Sequence, residues 1–177
     1  MTRTRTRTVG RTETETVDPE PGLINSGHML ASSLSDESVL LDLLNRCFAA
    51  VSFSDGGTPS YETLADLFTA EGRLIRTGTA APDNRRVDDF VAERRRVLAA
   101  GQIVSFHEAE ISGNTEVFGS VAHRLSTYLK TGVGPDGPFA ARGVISTQFV
   151  REPDGWRISS MAWDDERPGW KIPTTRA

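Results

Sequence analysis

The chain has 177 residues, of which 37% are hydrophobic and 25% charged, with a net charge of −4 and a pI near 5.4. That is enough for one ordinary domain and too few for two, and the balance excludes both a disordered chain and a membrane-embedded one. No run approaches the roughly 20 apolar residues of a membrane span. The single cysteine, Cys47, excludes an internal disulfide and a thiolate zinc cluster, and without a basic stripe nucleic-acid binding has no electrostatic basis.

Residues 1–28 differ in kind from the rest. Threonine alternates first with arginine and then with glutamate, and Arg3, Arg5, Arg7 and Arg11 balance Glu13, Glu15, Asp18 and Glu20. With almost no apolar residue to bury, this segment cannot repay the entropy of ordering, and it lacks the apolar stretch of a secretory signal. Ser26-Gly27-His28-Met29 has the look of a cloning junction, so residues 1–28 read as a tag or upstream extension and 29–177 as a single domain.

Ser35 or Asp36 then caps a helix whose apolar residues, from Val39 and Leu40 to Phe48 and Val51, fall at helical spacing. Cys47 sits on that stripe as a small core residue rather than a nucleophile. A shorter helix begins near Pro59 or Ser60 and carries Tyr61, Leu64 and Leu67, and Phe68 to Thr77 reads as a strand with a bulge at Gly72. Residues 79–87 read as a loop. Asp88 or Asp89 starts a third helix to Ala100, on which Arg94-Arg95-Arg96 reads as a solvated face.

From Gln102 the apolar period changes from about 3.6 to 2. Four strands, 103–112, 116–131, 139–152 and 156–164, are separated by turn chemistry at Gly113-Asn114, Gly134-Pro135-Asp136-Gly137 and Pro153-Asp154-Gly155. Short connections make antiparallel neighbours, which gives an α+β chain with three N-terminal helices packed on one face of a curved antiparallel sheet.

This order of elements resembles the NTF2-like superfamily, which includes ketosteroid-isomerase-like and SnoaL-like proteins. The segments that carry the resemblance are Asp66-Leu67-Phe68-Thr69-Ala70-Glu71-Gly72-Arg73-Leu74 and Val150-Arg151-Glu152-Pro153-Asp154-Gly155-Trp156-Arg157-Ile158 with Met161-Ala162-Trp163. The resemblance implies a cone-shaped fold, an apolar pocket between sheet and helices, and a homodimer formed through the sheet. It also supplies a negative. Arg76 stands where the isomerase has its carboxylate base, and Ser146 or Thr147 where it has a protonated acid, so classical steroid isomerisation is not implied.

With Gly113-Asn114 as a two-residue turn, His123 lies opposite Val104 and His107 opposite Ser120, so the two histidines face opposite ways and share no metal. A bulge would reverse this parity. On this register Phe106, Glu108 and His123 belong to the more apolar, pocket-lining face. His123 there is either a general base or a structural residue bonded to a neighbour, and Glu108 in a dry pocket would be raised toward the same range. One of Asp164 and Asp165 points inward, and the alternative for Asp164 is a strand end capped by Arg167. Tyr61 and Trp163 are candidate walls for a flat ligand, and Arg142 and Tyr128 candidate contacts on central strands.

Three functions follow as expectations. The first is cofactor-free acid–base catalysis, of isomerase, cyclase or lyase type, on a small apolar or aromatic molecule; His123 is the base and Glu108 or Asp164 orients it. The second is a ligand-binding or dimerisation module without catalysis, and the third a small subunit of a larger oxygenase. No metal and no cofactor is implied. Eighteen arginines against two lysines point to a GC-rich bacterial coding sequence, and the missing signal and disulfides to the cytoplasm.

Overall fold

The computed structural model describes residues 26–173, with side chains from Asp36 onward. Helix α1 (Ser26–Val51) is followed by a 3-10 helix (Tyr61–Leu67), strands β1 (Phe68–Arg76) and β2 (Asp83–Arg86), and helix α2 (Val87–Ala99). Four long strands complete the chain: β3 (Ser105–Phe118), β4 (Val121–Gly134), β5 (Gly137–Glu152) and β6 (Gly155–Asp165). They form one six-stranded sheet in the order β2-β1-β6-β5-β4-β3. The meander β3 to β6 is antiparallel as its short turns require, while β1 runs parallel beside β6 and β2 covers its edge. The expectation of a mobile segment at residues 1–28 lies outside the described residues as far as residue 25.

One face of the sheet packs on the helices. Leu40, Leu44, Leu64, Leu67, Phe149 and Ile158 are fully buried there. Each such side chain contributes roughly 1.5–3 kcal/mol relative to exposure. Cys47 lies in this core with its Sγ 3.5 Å from the Met161 sulfur, and burial first, then the nearby Glu108 charge, pushes its thiol pKa up to about 12. Such a thiol is no nucleophile. No helix among the described residues is long and apolar enough to cross a membrane.

Four local readings are corrected. Helix α1 does not start at Ser35 or Asp36 but runs on from Ser26. The Asp36 carboxylate instead pairs with Arg151 and accepts a hydrogen bond from Trp156 Nε1 at 3.2 Å, tying the helix to the β5–β6 hairpin. Residues 83–86, read as loop, form β2. Its Asp-Asn-Arg-Arg sequence has no apolar alternation, and it is held by pairing with β1 and by the Arg86 contacts to Glu71 and to the Ala70 carbonyl.

The third correction moves a turn. Gly113 and Asn114 lie inside β3, and the hairpin turns at Gly119-Ser120, with Gly119 at φ 56°. The register then slips between Glu110 and Ser112, where Ile111 is an extra residue. That bulge is decisive for the site. Beyond it Glu116 opposes His123 and Thr115 opposes Arg124, but before it Glu108 opposes Lys130. Glu108 therefore shares a face with Arg124, Tyr128 and Lys130, and His123 is turned to the other side.

The fourth follows from the third. His107 opposes Thr131 and His123 opposes Glu116, so both histidines lie on the outer face, eight positions apart along β4. At ~3.4 Å per residue they are about 27 Å apart. The conclusion that they share no metal stands on distance rather than on opposite faces.

Candidate functional site

Between α1, α2 and the inner face of the sheet lies a cavity of about 340 Å³. Its walls are aromatic. Phe90 from α2 meets Trp163 from β6 edge to face, with ring centroids 6.4 Å apart at 88°, and Phe106 and Phe139 close the far side. Tyr61, at the start of the 3-10 helix, completes the lining. These residues are brought together because period-2 strands point Phe106 and Trp163 inward, while Phe90 follows Val87 at helical spacing on the buried side of α2.

Glu108 projects from β3 into this cavity and also lines a smaller apolar recess of about 50 Å³, which runs between Cys47, Leu64, Ile145 and Met161. The backbone around it is fixed. Phe53 and Phe106 exchange both main-chain hydrogen bonds, at 2.7 and 2.9 Å, and the Glu108 amide donates to Ser52 Oγ at 3.1 Å. The Glu108 carboxyl itself makes no hydrogen bond or ion pair among the described residues. Burial raises its pKa from 4.5 to about 7, assisted by the negative charge of Asp165 and opposed by Lys130 and Arg94. A carboxyl in this range holds or releases a proton near neutrality.

A second polar cluster stands beside it. Asp165 accepts a hydrogen bond from the Tyr128 hydroxyl at 2.7 Å, and the Lys130 ammonium lies 2.6 and 2.7 Å from its two oxygens. Burial alone would raise the Asp165 pKa, but the hydrogen bonds from Lys130 and Tyr128 outweigh it and hold the carboxyl below its ordinary range. Burial first, and then the bond to Asp165, raises the Tyr128 phenol. The two neighbouring carboxyls are thus shifted in opposite directions, Asp165 downward by its hydrogen bonds and Glu108 upward by burial. The cluster needs a glycine opposite it. A Cβ at Gly143 would overlap the Tyr128 hydroxyl and the Asp164 carbonyl.

Two arginines complete the lining: Arg76 at the end of β1, exposed, and Arg94 on α2. The Arg94 guanidinium lies over the Phe90 ring, 5.3 Å from its centroid, and its Nε is buried with no hydrogen-bond partner among the described residues. Among the described residues no group of three or more His, Cys, Asp or Glu is placed to hold a metal ion.

Of the eight side chains singled out in the sequence, the cavity gathers Glu108, Tyr61, Phe106 and Trp163. It does not gather the others directly. His123 lies in an outer-face groove with Glu116 and Thr127. Asp164 points outward and pairs with Arg167, the strand-end alternative, so that its neighbour Asp165 is the inward carboxylate. Arg142 is exposed on the outer face of β5, and Tyr128 is fully buried and reaches the cavity only through Asp165. Sequence reasoning missed Lys130, Arg94, Phe90 and Phe139. The signal for Arg94 was present, since it follows Phe90 by four and Val91 by three on a helix; the run of three arginines concealed it. Lys130 could be found only with the bulge in hand.

No family model and no curated protein matches the sequence. Solved structures do. The chain has the NTF2-like fold: an NTF2-like superfamily protein from Salmonella enterica superposes with a TM-score of 0.64 at 14% identity, over 82% of this chain and 99% of that one. An NTF2-like protein with a cystatin-like fold from Novosphingobium aromaticivorans superposes with a TM-score of 0.59 at 19% identity, over 78% and 86%. The hexachlorocyclohexane dehydrochlorinase LinA-type3 from Novosphingobium barchaimii gives 0.64 at 12% identity, over 76% and 89%.

Proposed function

We propose that this protein binds a small, largely aromatic or apolar molecule in the cavity and moves a proton on it, with Glu108 as the general base. The observation that carries this reading is a carboxyl set in an aromatic cavity with no hydrogen bond or ion pair among the described residues, its pKa raised by burial to about 7. In its ionised form Glu108 takes a proton from the bound molecule and returns it at a second position or to water, which is isomerase, cyclase or lyase chemistry. Trp163 and Phe106 hold a flat body, and the Lys130–Asp165–Tyr128 cluster offers fixed polar groups to its far end. The dehydrochlorinase on the same fold lends support by analogy of scaffold only. His123 and Asp164 are not given this role, because neither lines the cavity.

Incubation in D2O with a panel of steroid enones, aryl ketones and terpenoid ketones, followed by proton NMR, tests the reading. The wild type is expected to speed deuterium incorporation into at least one compound. Glu108→Gln lowers that rate by about 100-fold or more, and His123→Ala leaves it unchanged. Equal rates for wild type and Glu108→Gln would remove Glu108 from the chemistry.

We further infer that two copies pair through the outer face of the sheet. Phe118 is 82% exposed there, and Val121 and Leu129 carry the apolar surface along β4. Sedimentation velocity is expected to give the mass of a dimer for the wild type and of a monomer for Phe118→Asp/Leu129→Asp. A wild-type monomer at micromolar concentration would refute the pairing.

A further inference from the structure

Within the cavity the charges do not balance. Three cations line it, Arg76, Arg94 and Lys130, against the carboxyls of Glu108 and Asp165. Lys130 is engaged by both oxygens of Asp165, and Glu108 is largely neutral below pH 7. Arg76 is exposed to water at the end of β1. That leaves Arg94, which has no ion pair among the described residues, is stacked on Phe90, and has a buried Nε with no acceptor. A guanidinium is a planar fork of donors that is satisfied by a planar pair of oxygens. The Nε is shut off from solvent, so a carboxylate in the cavity would be received by the terminal nitrogens of the fork, which make no hydrogen bond among the described residues.

We propose that the cavity takes an aromatic carboxylate, whose ring lies against Phe90 and Trp163 and whose carboxylate is received by Arg94. This rests on the cavity being the binding site and adds the class of molecule to it. Burial lowers the affinity of Arg94 for its own proton, and an anion in contact would restore it. Tyr61 lines the same cavity and lies close enough to Arg94 for the two to interact electrostatically.

Calorimetric titration of the full chain with 2-naphthoate and with 2-naphthamide, at a pH just below 6, separates the proposal from the reading beneath it. The two probes share a ring system and differ in charge. The wild type is expected to bind naphthoate at least about tenfold more tightly, the ratio that hydrogen bonds to a charged group supply. Arg94→Met should lose that preference while still binding naphthamide, which also shows that the variant is folded; Arg94→Lys should keep part of it. Equal affinity of the wild type for both probes would overturn the anion site and leave the cavity. A preference that survives Arg94→Met would overturn the assignment to Arg94. Binding of neither probe would overturn the cavity as a binding site, and this proposal with it.

Discussion

Replacing Arg124 by Leu is expected to destabilise the protein by about 3–5 kcal/mol, the cost of leaving one buried charge without its partner. Arg124 and Glu110 have side chains only 9% and 10% exposed. The pair is bidentate: Nε donates to Oε1 at 2.8 Å and Nη2 to Oε2 at 3.1 Å, while Nη1 donates to Thr115 Oγ1 at 2.6 Å. Glu37 of α1 lies 3.8 Å from the same guanidinium, so the network pins the helix to the sheet. Gly113 makes the space, since a Cβ there would overlap the Glu110 carboxylate. Removing both partners is a different perturbation. Arg124→Leu with Glu110→Leu leaves no orphaned charge, and most of the lost stability should return. Urea unfolding of the single and double variants decides this; a double variant no more stable than Arg124→Leu would show that the pair is not the source.

The second large effect is one of sign. Glu108→Gln is expected to stabilise the fold above pH 7 and to change it little near pH 4.5. The proton on Glu108 is bound up to about pH 7 in the folded chain, against an ordinary 4.5 in the unfolded one. Between those values the folded state holds more protons, so stability falls as pH rises. The contribution of this group is intact below 4.5 and has been lost once the pH passes about 7. At ~1.4 kcal/mol for each tenfold in proton affinity the loss is bounded by roughly 3 kcal/mol, and partial solvation brings it to about 2. Gln does not titrate and escapes it. Denaturant unfolding of both proteins at about pH 4.5 and about pH 8.5 measures the gap; a gap that does not widen with pH would mean that Glu108 is solvated and ionised like any surface carboxylate. A carboxyl raised in this way is what the general base proposed for this cavity requires near neutrality.

Much of the molecule was legible residue by residue. The 3.6-residue stripe of Leu40, Leu44 and Phe48, the change to period 2 after Gln102, and the turns at Pro135-Asp136 and Pro153-Asp154 specify helices, strands and hairpins through local chemistry alone. So do the aromatic residues Tyr61, Phe106 and Trp163, which alternation and helical spacing turn toward the core. These features depend on a few neighbours in the chain, and sequence carries them directly.

What lies across the cavity from Glu108 was not local. The β3–β4 turn could be drawn at Gly113-Asn114 or at Gly119-Ser120, and both are good turn sequences. The buried pairing of Arg124 with Glu110 and Thr115 exists only on the second, and it is this packing that selects it. The extra residue at Ile111 then reverses which side of β4 meets Glu108, putting Lys130 and Tyr128 in the site and His123 outside it. Arg94 likewise became a cavity residue because α2 docks with Phe90 and Val91 inward, not because of its arginine neighbours. Sequence by itself determined the elements, their order and the apolar wall. Tertiary structure decided which charges share that wall, because a single bulge changes the side of the sheet at a cost far smaller than the burial it serves.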